Sequence, residues 1–98
     1  MLTLLQNAIR NKQRLLIDYE PGLRIIEPHA LGYGSSGQLL LRAFQIEGVS
    51  ASGEHENWKL LRVDRLRAAN DNGSAFDGPQ GGYRRGDKAM TGGIIEEL

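Results

Sequence analysis

Apolar positions set the first rhythm of the chain. In "LTLLQNAIRNKQ", Leu2, Leu5, Ala8 and Ile9 recur at helical spacing with Leu4 beside them, which predicts a short amphipathic helix. Thr3 followed by Gln6 has the form of a capping box and sets the expected start near Leu4, with Asn11 as the expected stop. A helix this short does not persist alone in water, so it must lean on another layer. The rhythm then shifts to a period of two. Leu15, Ile17 and Tyr19 alternate with Leu16 and Asp18, Pro21-Gly22 marks a turn, and "LRIIEPHALGY" resumes with Leu23 and Ile25 on one side and Arg24 and Ile26 on the other. Pro28 has no N–H for a ladder, so the second strand is expected to be an edge, bulged or bent there.

"GSSG" at 34–37 reads as a hairpin loop, and "GQLLLRAFQIEG" as the third strand. In that strand Leu39, Leu41 and Ala43 share one face, and Leu40, Arg42 and Phe44 the other. Both faces are mostly apolar, which predicts cover on both sides. "GVSASGEHEN" is a long polar loop, "WKLLRV" a fourth strand, and "DRLRAAND" a helical turn running into a short fifth strand. Asn72-Gly73-Ser74 breaks the pattern. The expected division is therefore a body at 1–72 and a glycine-rich, irregular tail at 73–98. That tail either wraps the body or a partner through Phe76 and Tyr83 or hangs free. One short helix and about five strands predict a mainly β fold, with the edge problem solved by a small, nearly closed barrel.

At 98 residues there is room for one small domain. There is no cysteine, hence no disulfide and no thiolate metal site. No apolar run approaches membrane-spanning length, and no signal-peptide pattern opens the chain. A cytoplasmic, bacterial-type protein is expected. Twelve cations balance twelve anions, but residues 1–70 hold nine Lys/Arg against seven Asp/Glu, and 71–98 hold three against five. Bulk charge therefore announces no nucleic-acid partner, and any anion site must be a local cluster.

"LLIDYEPGLRIIEPHALGYGSSGQLLLRAFQ" and "WKLLRVDRL" together resemble a WYL domain over residues 2–68. The match lies in Tyr19, in Arg24 with Ile25-Ile26 and Pro28, in Gly37, and in Arg62-Val63-Asp64-Arg65-Leu66; Leu39-Leu40-Leu41 stands where the family has Trp-Tyr-Leu. The resemblance implies an Sm-like or SH3-like barrel of the kind that follows a winged-helix domain in bacterial transcription regulators and senses an anionic ligand. Here it would be a free-standing module.

The ligand-binding candidates are Tyr19, Arg24, His29, Arg42, Arg62 and Arg65. A guanidinium suits bidentate phosphate contact, and a phenol can stack on a base. Each has a plainer reading. Arg42 can pair with Asp18 or Glu27 on a neighbouring strand. Tyr19 and Arg24 can pack across strands at the surface. Lys59, Arg62, Arg65 and Arg67 can be a solvated face. His29, without a second ligand nearby, is better read as structural than as a metal ligand. "GSSG" and "GGYRRGDK" lack the spacing of a P-loop, and loop flexibility explains their glycines. With no nucleophile–base set, no carboxylate pair and no cofactor motif, the expectation is a non-enzymatic module without cofactor. It would bind a nucleotide or single-stranded nucleic acid in a basic pocket, as a homo-oligomer or beside a separate regulator protein. The alternative is a protein-interaction or oligomerisation module with no small ligand.

Overall fold

Leu2–Arg10 forms α1, which buries Leu5, Ala8 and Ile9. The computed structural model describes every residue, Met1–Leu98. The helix begins before Thr3, and no side chain caps it. Gln6 instead donates to Glu96 at 3.3 Å, which ties α1 to the far end of the chain. Six strands follow: β1 (Gln13–Tyr19), β2 (Gly22–Tyr33), β3 (Leu39–Gly48), β4 (Asn57–Arg62), β5 (Ala68–Ala75) and β6 (Gly93–Glu97). They make one antiparallel sheet in the order β4-β3-β2-β1-β5, with β6 paired to β2. The first part of β2 pairs with β1, and its last part, from Ala30, with β6. No ladder joins β4 to β5, so the sheet is open and does not complete the nearly closed barrel the sequence suggested. No helix is long and apolar enough to cross a membrane.

The inner face of the sheet carries the core. Leu15, Ile17, Ile26, Leu31, Leu41, Ala43, Leu61 and Val63 pack with the buried face of α1. At about 25 cal/mol per Å² of apolar area, such a layer is the main source of stability in a chain this small.

Pro28 sits at a bulge. Pro28 pairs with Ala43 and Ala30 with Arg42, so His29 has no partner across the ladder. A bulge of this kind sets two residues of one strand against one of the next, and the proline's missing N–H is tolerated there. The result is that Pro28 and Leu31 face inward while His29 and Ala30 face outward.

Residues 76–92 cross that outer face as a strap. Phe76 and Met90 are buried, and Met90 joins Ala30 and Leu40 in a second, smaller apolar cluster flanked by Tyr83. The strap then re-enters the sheet as β6. Gly32 makes this approach possible: a Cβ there would lie 2.6 Å from the Gly93 carbonyl and 2.9 Å from the Met90 sulfur. The expected boundary at residue 72 falls inside β5, which runs through Asn72-Gly73-Ser74 on its pairing with β1. Asn72 Oδ1 accepts from the Ser74 backbone N–H at 3.1 Å and so supports the strand locally.

Candidate functional site

The bulge places His29 beneath the strap with no solvent exposure. Its Nδ1 lies 2.7 Å from the Glu27 carbonyl, and its Nε2 is 3.0 Å from the Gln80 backbone N–H. An amide N–H only donates, so Nε2 must be the bare acceptor and Nδ1 the protonated nitrogen. Burial pushes the histidine's pKa down, opposed by the Glu27 carbonyl and the Glu27 charge. The ring is boxed by Trp58 edge-on at 4.8 Å, Tyr83 at 5.0 Å and Phe76 stacked at 5.6 Å. The buried Glu27 carboxylate takes Arg14 on one oxygen and the Gln80 side chain on the other, both at 2.9 Å. His29 is thus the clasp of the strap, and both of its nitrogens are in use.

Above this box lies a cleft of about 590 Å³, lined by Arg42, Trp58 and the strap from Gly82 to Lys88. Arg42 rises from the outer face of β3 and holds Asp87 by a fork, Nε to Oδ2 at 2.6 Å and Nη2 to Oδ1 at 3.2 Å. The Arg42 hydrogen bond keeps the Asp87 pKa below the usual carboxylate range against the opposing effect of burial, and the Ala89 N–H adds to that. Arg85 pairs with Glu97 at 3.2 Å. Arg84 and Lys88 pair with no carboxylate. Trp58 packs edge-on against Phe44 at 5.3 Å and alongside Tyr83 at 6.0 Å, which fixes its plane as one wall. Its indole nitrogen faces Gly82, where even a Cβ would stand off at 3.6 Å, and it donates to no group of the chain. Chemically the cleft offers an aromatic wall, a free N–H donor and two unneutralised cations. It holds no grouping of His, Asp and Glu that would bind a metal.

Of the six residues singled out from the sequence, Arg42 alone lines this cleft, and His29 lies directly beneath it. Arg24 is on the opposite face of the sheet and five residues from His29 along β2, about 17 Å at the rise of a strand. It is 4% exposed and satisfied by neutral acceptors: the Tyr19 carbonyl at 3.2 Å, the Glu20 carbonyl and Gln45 Oε1 at 3.3 Å. Its guanidinium also sits 5.0 Å from the centre of the Tyr19 ring. Burial lowers the Arg24 pKa, though not enough to discharge a guanidinium. Tyr19 Oη accepts from the Arg62 backbone N–H at 3.2 Å, which blunts the free edge of β4. The Arg62 side chain turns to Asp64 at 2.7 Å, and Arg65 is exposed. Lys59 anchors the preceding loop through Ser50 Oγ at 2.8 Å and the Glu54 carbonyl at 3.0 Å. The arginines expected to converge therefore do not share one concave spot. Arg42 pairs with neither Asp18 nor Glu27 but with Asp87, far along the chain.

Sequence reasoning missed the strap cations. Residues 71–98 look mildly acidic in sum, yet all three of their cations fall within 84–88. That local density, flanked by Tyr83 and read beside the single tryptophan, was the available signal. Compared with known families, curated proteins and solved structures, the chain matches none.

Proposed function

We propose that this chain is a non-catalytic sensing module, of the WYL-like kind its sequence resembles, acting in a cytoplasmic regulatory setting. It binds an anionic, ring-bearing ligand, a nucleotide or a single-stranded nucleic acid, in the Arg42–Trp58–strap cleft. The observation that carries the reading is the pair Arg84 and Lys88, two cations without carboxylates at the mouth of a cleft walled by Trp58. Attraction to phosphate supplies the affinity, and the tryptophan face and N–H supply orientation. A small Sm- or SH3-like barrel is the architecture this kinship implies. The Tyr19–Arg62 contact supports it, because it brings the end of β1 to the free edge of β4. Trp58 is the only tryptophan, so its fluorescence reports the cleft directly. Titration with nucleotides and short single-stranded oligomers at two salt concentrations should show saturable change that weakens with salt. The double variant Arg84→Gln/Lys88→Gln should bind at least about tenfold more weakly, the scale of one lost charge-assisted contact. A titration flat at both salts, by fluorescence and by calorimetry, ends the reading.

A second reading draws on a different observation. Beyond the strap the outer face leaves Leu16 36% and Leu23 59% exposed, with Ile25 half-buried between them. This favours association with a second copy or a regulator protein. Light scattering after size exclusion decides it: a monomer at all concentrations excludes self-assembly.

A further inference from the structure

We propose that the cleft selects a terminal, dianionic phosphate monoester on a ring-bearing ligand and rejects the diester linkage of a nucleic-acid backbone. This narrows the anion-binding reading above and rests on it. The reasoning begins with the charges of the walls. Four cations line the cleft: Arg42, Arg84, Arg85 and Lys88. Two are answered from within the chain, Arg42 by Asp87 and Arg85 by Glu97. Two positive charges are left over. A phosphate monoester carries about 1.5–2 negative charges near neutral pH and so closes that balance. A diester carries one and leaves it open.

Asp87 does not reverse that balance. Its carboxylate is pinned in the cleft by the Arg42 fork and by the Ala89 N–H at 3.0 Å. Its repulsion and the attraction of Arg84 and Lys88 both scale with the charge of the incoming group. With Arg42 answering Asp87, the two open cations prevail, and a doubly charged group gains more than a singly charged one. Oxygen count points the same way. A terminal phosphate presents three acceptor oxygens, enough for the two open cations and the Trp58 N–H together. A diester presents two unesterified oxygens. The cleft volume is that of a site for one small molecule, within the usual range of about 300–1,000 Å³, and Trp58 and Tyr83, both on its lining, offer aromatic faces to a ring.

The experiment compares four probes on the full chain: a nucleoside monophosphate, its cyclic diester, the free nucleoside and inorganic phosphate. A short oligonucleotide lacking any terminal phosphate is the fifth. Trp58 fluorescence follows binding, and calorimetry on the same samples covers binding that leaves the fluorescence unchanged. The monophosphate should bind about tenfold or more tighter than the cyclic diester, the nucleoside and inorganic phosphate. Arg84→Gln and Lys88→Gln, both at exposed positions, should each shrink the ratio of monophosphate to cyclic diester. A cyclic diester that binds as well as the monophosphate overturns the selection and leaves the anion site standing. So does an unphosphorylated oligonucleotide that binds tighter than the monophosphate. Inorganic phosphate equal to the nucleotide removes the ring from the proposal. Silence from every probe removes the anion site as well.

Discussion

On its inner face the sheet meets α1 across a cluster of eleven buried apolar residues; on its outer face it meets the strap across a cluster of three. The inner contact with α1 is apolar and continuous, and the buried polar pair on that face, Arg24 with Gln45, binds within the sheet itself. The outer one alternates apolar rings with charges: His29 in its box, Glu27 between Arg14 and Gln80, Arg42 forked to Asp87. Burial of apolar area drives the first. Hydrogen bonds and ion pairs, several of them to the buried His29 and Glu27, hold the second. A cover held that way can be shaped for binding without putting the fold at risk, and the cleft lies on that side.

Five changes test this contrast. The largest effect belongs to the inner face. Leu41→Ala, at a fully buried site, should cost about 3–5 kcal/mol, read as a lower urea midpoint at unchanged slope. Met90→Ala on the strap should cost about 2 kcal/mol, the low end for such truncations, because the strap can settle into the space. Equal losses would show that strap and helix are one core.

Acid comes next. The folded state depresses the His29 pKa, so below the ordinary value of 6.5 the unfolded chain binds the proton more readily. Stability is complete above that value and is lost as pH falls towards and through the folded one. Urea midpoints between pH 7.5 and 5 should fall, and His29→Gln should flatten the slope, since a glutamine oxygen can still accept from Gln80. The converse, a midpoint that rises on acidification, would mean that the clasp is not neutral in the fold.

Asp87→Asn should have a smaller thermodynamic effect, about 1–2 kcal/mol for a part-buried, charge-assisted pair. It removes the fixed negative charge while an amide oxygen still serves Ala89, so a bound phosphate should hold tighter. Weaker binding in this variant would make Asp87 a ligand contact rather than a repulsive wall. Arg62→Gln should change stability by no more than about 0.5 kcal/mol, because its partner Asp64 is exposed. A larger loss would mean that the Arg62 side chain does more than its backbone bond to Tyr19.

Local pattern made much of the inner face legible. The helical spacing of Leu5, Ala8 and Ile9, the Pro21-Gly22 turn, the loop at Gly34–Gly37 and the alternation in β3 all depend on near neighbours, and all are present. The bulge was foreshadowed by Pro28, and the docking of the tail by Phe76 and Tyr83. What stayed hidden depends on contacts distant in sequence. Arg24 follows the period that makes Ile26 a core position, so its inward aim could be counted, but the carbonyls and Gln45 that receive it come together only in the folded chain. Asp87 is 45 residues from Arg42, and no spacing rule links them. β5 runs through Asn, Asp and Gly, poor strand formers that are overruled by pairing with β1. β6 is five residues long and gains its place from the free edge of β2 and from Arg10, which holds Glu96 at 2.8 Å.

The unpaired residue at position 29 also governs which changes of length the chain can tolerate. Upstream of it even-numbered side chains of the strand face the helix; downstream, odd-numbered ones do. Deleting His29 would remove the extra residue and leave a regular strand, with Pro28 and Leu31 still facing the core and Ala30 the strap but the clasp gone. Deleting a paired residue beyond it, such as Leu31, would turn the remainder of the strand over. The polar loop between β3 and β4 can lengthen or shorten freely by comparison, so insertions and deletions among related chains should gather there and spare the His29 step.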